Sequence, residues 1–191
     1  MIDDDTNDLW VFGYGSLMWR PGFDFIDTSL AWVYGYHRAL CIYSHVHRGT
    51  PQCPGLVLGL DHGGSCQGVA FRVASSKREE TLAYLREREL VTSVYLEKSV
   101  TLRLNDGSRK RALAYIVDRR HNQYAGPLSI ENMTQLILKG AGINGDNSAY
   151  VRNTYEHLQR LNIRDAKLTK VIQDLDRNVT RNSPCFNIQK K

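Results

Sequence analysis

Apart from one helix at residues 76–89, the chain's hydrophobic pattern is strand-like in its first part and helical in its last, and that order is the strongest constraint on its fold. Up to Val117 the apolar residues come in short runs rich in Val, Leu, Ile, Tyr and Phe, the pattern of strands. Beyond Ser129 they recur at helical spacing. Strands gathered first and helices last predict an α+β domain. The first strand is Leu9-Trp10-Val11-Phe12, ended by Gly13-Tyr14-Gly15-Ser16. Residues 31–44 and 56–73 read as several strands, with turns at Gly49, Pro51, Pro54, Gly55, Gly63 and Gly64. A capping box, Ser76-x-x-Glu79, opens a helix through Glu89. Residues 94–104 and 109–117 read as a hairpin turning at Asn105-Asp106-Gly107. Helices follow over 129–139, 148–161 and 165–176, the first two separated by Gly140, Gly142 and Gly145.

Composition narrows the class further. The 191 residues suit one domain spanning 1–191, whose polar last stretch, 178–191, is expected to lie loosely on the surface. With 42% hydrophobic and 24% charged residues, disordered and low-complexity readings are excluded. No run approaches the length of a membrane span, and the acidic start Met1-Ile2-Asp3-Asp4-Asp5 is unlike an export signal, so a cytoplasmic setting and no membrane partner are expected. Cys41, Cys53, Cys66 and Cys185 form no zinc-type spacing and are read as reduced and buried. A net charge of +5 favours an anionic partner of any size. Arg109-Lys110-Arg111 and Arg119-Arg120-His121 lack interleaved aromatics, so they read as solvated surface and nucleic acid is not an expected partner.

Two segments can carry chemistry. After the first strand, the glycines of Phe12-Gly13-Tyr14-Gly15-Ser16-Leu17 allow a tight turn whose N–H groups converge on an anion, above all if a helix begins near Ser16. Met18 stands where a dinucleotide fingerprint needs its third glycine, and no Gly-Lys-Ser/Thr follows, so no nucleotide cofactor is expected. Taken alone, the loop is better accounted for by a purely structural tight turn. The second segment is the helix end: at 100° per residue, Glu89 falls roughly 20° from Leu82 and 40° from Leu85, on the apolar stripe, whereas Glu87 faces away. An inward carboxylate is desolvated and suits a general acid or base. The alternative is a frayed end where Glu89 pairs with Arg86 or Arg88. His45 and His47 alternate on one strand face as half of a metal site, but no third ligand is suitably spaced, so no metal is expected. Ser16 lacks a nucleophile-elbow setting.

Four segments in order, Trp10-Val11-Phe12-Gly13-Tyr14-Gly15-Ser16-Leu17-Met18-Trp19, His47-Arg48-Gly49-Thr50-Pro51, Gly68-Val69-Ala70-Phe71-Arg72 and Tyr84-Leu85-x-x-Arg88-Glu89, resemble the ChaC-type γ-glutamylcyclotransferases acting on glutathione. Gly142-Ile143-Asn144-Gly145-x-Asn147-x-x-Tyr150-Val151 extends the likeness into the helices. Leu90-Val91-Thr92 after Glu89 is similar to the bacterial branch, and Met18 replaces an isoleucine common in the family. The resemblance implies a mixed β-barrel flanked by helices. It implies a lyase without cofactor that converts glutathione to 5-oxoproline and Cys-Gly, with Glu89 as acid/base. Val11, Phe12, Gly13, Tyr14, Gly15 and Ser16 would bind the γ-glutamyl group, and Leu17 and Tyr115 would help line the pocket. Other γ-glutamyl amines or dipeptides as substrates, or a non-catalytic ligand-binding role on the same fold, are the competing expectations.

Overall fold

Val, Leu, Ile, Tyr and Phe recur through residues 27–44 and 55–73, and each stretch forms one long strand rather than several. In the computed structural model, which describes residues 7–90 and 93–182, these are β2 (Asp27–Ser44) and β3 (Gly55–Val73), paired antiparallel along nearly their whole length. The Gly63-Gly64 pair, expected as a turn, lies inside β3. Both residues have positive φ, 96° and 69°, opposite Gly35 at 84°, and the register shifts between Tyr34↔Ser65 and Tyr36↔His62. Glycine tolerates this left-handed geometry, so the pair makes a bulge that bends the ribbon instead of ending it.

That bending allows closure. β1 (Leu9–Gly13) pairs antiparallel with β3, β2 pairs at residues 31–33 with β4 (Tyr95–Leu104), and β4 forms the expected hairpin with β5 (Arg109–Val117). A parallel bridge, Val11↔Leu113, closes the barrel in the order β1-β3-β2-β4-β5. Val11, Phe12, Leu60, Leu102 and Ala114, on its strands, are buried without solvent exposure. The α+β reading therefore holds.

Between β3 and β4 runs α1 (Arg78–Glu89). The expected capping box does not form, because a 3-10 turn at Ser75–Lys77 absorbs Ser76 and puts Lys77 at the cap position without a side-chain bond. The carboxylate of Asp8 accepts from the Ser75 N–H instead, at 3.0 Å. Three helices then pack on the barrel and on one another: α2 (Ile130–Lys139), capped by the Ser129 hydroxyl, α3 (Asn147–Arg160) and α4 (Ala166–Asn182). Met133 and Ile137, Val151 and Leu158, and Val171 and Leu175 are their buried residues at helical spacing. Helix α4 continues through Asn182, so the start of the expected loose tail is helical; residues 183–191, with Cys185, lie outside the described residues. Cys41 and Cys66 are buried as expected, whereas Cys53 is half-buried.

A short ribbon, β6 (Ala141–Gly142) and β7 (Gly145–Asp146), joins α2 to α3. Just after it, the fully buried Asn147 side chain accepts from the Leu56 N–H at 2.6 Å and donates to the Leu56 carbonyl at 2.8 Å. This two-way bond fixes the first turn of α3 against β3, two residues before Leu58.

Candidate active site

Where β1 ends, the chain must turn sharply. Gly15 adopts φ −133° and ψ −131°, outside the regions open to residues with a Cβ, and a 3-10 turn at Ser16–Met18 follows. The loop is held from behind by Arg38, only 7% exposed, which donates to the Tyr14 carbonyl at 2.6 Å and to the Gln67 carbonyl at 2.6 Å. Its remaining guanidinium nitrogen pairs with Asp165 at 3.3 Å. A charged donor on two carbonyls and a carboxylate makes the loop position rigid.

Facing this loop is the last turn of α1. The Glu89 side chain is 17% exposed, and Glu87 is exposed, as the helical spacing requires. The competing reading, an arginine pair, also holds. Arg88 Nε lies 3.1 Å from a Glu89 carboxylate oxygen, while Arg86 pairs with Glu97 at 2.8 Å. Arg88 further donates to the Ser16 hydroxyl at 3.1 Å and to the Arg20 carbonyl at 2.6 Å, tying the helix end to the glycine loop. Burial raises the pKa of Glu89 above the ordinary carboxylate value, and the opposing pull of Arg88 does not cancel it.

Between loop and helix end lies a cavity of about 40 Å³, lined by Tyr14, Gly15, Ser16, Leu17, Leu58, Glu89, Tyr95, Tyr115 and Tyr150. The Tyr95 hydroxyl donates to the Leu58 carbonyl at 2.8 Å, and the Tyr150 oxygen accepts from the Leu58 N–H at 3.3 Å. Burial pushes the phenols of Tyr14 and Tyr95 well above their ordinary value and Tyr150 to about 12, so all three are neutral hydroxyls at physiological pH. Tyr115 is raised for the same reason, and its hydroxyl lies 3.4 Å from Glu97. The inner pocket thus holds one desolvated carboxylate among neutral hydroxyls.

Ser16, Glu89, Tyr95 and Tyr150 also line a second, outer cavity of about 690 Å³, a size common for small-molecule sites. Its wall includes Trp19, Arg20, His45, His47, Arg48 and Asn144, with Glu87 at the same surface. His45 and His47 sit in the loop after β2, which ends at Ser44, and not on a strand face as expected. Among the described residues no three His, Cys, Asp or Glu side chains group as metal ligands do.

The ChaC-like protein family matches residues 9–178. This chain belongs to that family. Among ChaC-like relatives, the glutathione-specific γ-glutamylcyclotransferase of Escherichia coli is 33% identical over 94% of this chain and 78% of its own length. The human glutathione-specific γ-glutamylcyclotransferase 1 is 37% identical over 82% of this chain and 72% of its own. A crystal structure of a yeast γ-glutamylcyclotransferase specific to glutathione superposes with a TM-score of 0.81 at 21% identity, covering 89% of this chain and 96% of that one, and shows the same fold. The barrel with flanking helices is therefore the γ-glutamylcyclotransferase fold.

Of the ChaC-like residues singled out in the sequence, Tyr14, Gly15, Ser16, Leu17, Glu89 and Tyr115 meet around the inner pocket. Val11 and Phe12 are fully buried in β1 and Gly13 ends it, so these three support the loop without lining either cavity. Sequence reasoning missed Leu58, Tyr95 and Tyr150, which come from β3, β4 and α3. Tyr150 stands inside the matched C-terminal segment, a signal that could have found it. Tyr95 and Leu58 carry no such signal. Arg119 and Arg120 pair with Asp61 at 2.7 Å and Asp118 at 3.3 Å.

Proposed function

We propose that this ChaC-like chain is a glutathione-specific γ-glutamylcyclotransferase with Glu89 as its acid/base. The observation that carries this reading is the position of Glu89, an inward carboxylate of raised pKa where the hydroxyl-lined inner pocket opens into the outer cavity. The curated relatives named for this activity support it.

The reaction needs no external nucleophile. The α-amine of the γ-glutamyl group attacks its own γ-carbonyl carbon, a C–N bond forms to close the five-membered lactam, and the amide C–N bond to cysteine breaks. 5-Oxoproline and Cys-Gly leave, with no water consumed. The protein must fold the γ-glutamyl chain for attack, move a proton and stabilise the oxyanion. Glu89 takes the proton from the attacking ammonium and returns one to the departing nitrogen, a task suited to a desolvated carboxylate. The loop amides at Gly15 to Leu17 hold an anionic group of the substrate, the α-carboxylate, and the neutral phenols of Tyr14, Tyr95 and Tyr150 supply hydroxyl donors. Tyr115 closes the pocket floor. Reduced glutathione is a cytoplasmic thiol, and that is the setting we assign.

The test is to incubate the purified protein with reduced glutathione, without added metal or nucleotide, and to measure both products. Equal amounts of 5-oxoproline and Cys-Gly are expected. Turnover of γ-glutamyl-alanine or γ-glutamyl-lysine but not of glutathione would shift the substrate and keep the chemistry. No turnover of any would overturn the enzyme reading.

A further inference from the structure

We infer that Arg48 is the specificity-determining cation of the outer cavity, and that it binds the glycyl carboxylate at the far end of the tripeptide. The inference rests on the glutathione reading above and extends it to a part of the substrate that the inner pocket does not touch.

The outer cavity is lined by three arginines, and they are used differently. Arg88 is committed to Glu89, Ser16 and the carbonyls of Arg20 and Pro21. Arg48 makes no ion pair among the described residues. One of its terminal nitrogens donates to the carbonyls of Asn144 at 2.5 Å and Asp146 at 3.3 Å, and its guanidinium carbon stands 5.3 Å from the centre of the Tyr150 ring. Neutral carbonyls and a ring face orient the guanidinium without neutralising it. Its Nε and second terminal nitrogen have no hydrogen-bond partner among the described residues, which leaves a fork of donors of the kind that takes a carboxylate through two bonds. Arg20, exposed on the same cavity wall, places a second positive charge near Arg48, and Asp146 places a negative one there.

The loop that carries Arg48 is built to hold it still. The Arg48 N–H donates to the Ser44 hydroxyl at 3.0 Å, the carbonyls of Val46 and His47 accept from the N–H groups of Ile143 and Asn144 at 3.0 and 3.1 Å, and the His47 ring lies 3.0 Å from the Asn144 amide nitrogen. The approach is so close that a Cβ on Gly142 would strike the backbone of Val46, His47 and Arg48, and one on Gly55 would strike the Arg48 carbonyl. A guanidinium fixed before binding loses little entropy when an anion arrives.

Tyr150 joins the two ends of the site. Its hydroxyl meets Leu58 on the wall of the inner pocket while its ring lies under Arg48. A substrate whose scissile carbonyl sits beside Glu89 has two more residues to span, about 7 Å of extended chain, before its terminal carboxylate. That carboxylate then falls over the outer cavity, where Arg48 stands with Arg20 on the same wall.

The experiment compares glutathione with its glycyl monoethyl ester, which differs by one charge at that end, on the native protein and on Arg48→Met and Arg48→Lys. For the native protein, kcat/KM is expected to be about 10- to 100-fold higher for the acid than for the ester, mostly through KM, the range of a charged hydrogen bond. In Arg48→Met this preference should fall to near one, because kcat/KM falls far more for the acid than for the ester. Arg48→Lys, which keeps the charge and loses the fork, should keep an intermediate preference. An undiminished preference in Arg48→Met, or equal losses for acid and ester, would overturn the assignment; equal losses would mean that Arg48 serves the γ-glutamyl end or the fold. Should Arg48→Met not fold, a native protein that does not distinguish acid from ester would overturn it, and a preference lowered in Arg48→Lys would sustain it. A native protein that turns over neither substrate would overturn the functional reading itself, and this subsite with it.

Discussion

The inner pocket and the outer cavity differ in what builds them. The inner pocket is formed by the glycine loop after β1, by barrel strands, by the end of α1 and by α3, and its polar groups include one carboxylate and the phenols of Tyr95 and Tyr150, both held to the Leu58 backbone. The outer cavity adds walls from the loop after β2 and from residues 19–20 and 144, and these carry Arg20 and Arg48, open to solvent on one side. Low dielectric strengthens every interaction in the inner pocket and shifts the protonation of Glu89. In the outer cavity, water screens the charges, so they select a ligand more than they alter its reactivity. Chemistry and recognition are thus separated by depth.

The largest effect should come from the inner pocket. Glu89→Gln keeps the shape of the side chain but cannot accept a proton, so kcat for 5-oxoproline release should fall about 10²- to 10⁴-fold with KM little changed. Near-normal turnover in this variant would break the comparison outright. The same variant should be no less stable than the native protein at neutral pH. Glu89 has a folded pKa above its unfolded value, so its contribution favours the fold at low pH and is lost as pH rises through the folded pKa; glutamine removes that loss. Urea unfolding at neutral pH reads the sign.

Next in size is a shift in the pH profile. As a base, Glu89 must be ionised in the free enzyme, so kcat/KM should decline as pH falls through its raised pKa. Arg88 lowers that pKa against the larger effect of burial, so Arg88→Met should move the acidic limb to higher pH. A limb that stays in place would show that some other group governs the profile.

A smaller effect is expected from Tyr95→Phe, which leaves the Leu58 carbonyl without its 2.8 Å donor. The loss of stability should be about 1 kcal/mol, measured by denaturant midpoint at constant slope. The smallest concerns Glu87, which touches the outer cavity but is exposed. Glu87→Gln should change kcat/KM for glutathione less than twofold, within the range of exposed surface charges. A loss as large as that of Glu89→Gln would mean that the wrong face of α1 had been read.

Much of this was written in the local sequence. Helical spacing alone turns Glu89 inward and Glu87 outward, because side-chain direction on a helix depends only on residue number. The run from apolar strand to Gly-Tyr-Gly-Ser places a sharp turn at residues 13–16, and the order of strands and helices sets the α+β class. Three details fell to longer-range forces. The Ser76-x-x-Glu79 box failed because a 3-10 turn, whose Ser75 N–H is held by the distant Asp8, absorbs Ser76, and Gly63-Gly64 became a bulge because β2 was there to pair with it. Arg88 satisfies both readings at once, lying beside Glu89 and beside the loop.

What only the tertiary structure decided is which distant residues meet around those local features. Leu58, Tyr95 and Tyr150 come from three elements, and they converge because the Tyr95 hydroxyl on β4 reaches the Leu58 carbonyl on β3 and Asn147 pins α3 to Leu56. Periodicity reports which face of an element is buried, but it carries no record of the partner across the gap. The sequence by itself determined the class, the turn and the direction of Glu89; packing decided the pocket that desolvates it and the free guanidinium of Arg48.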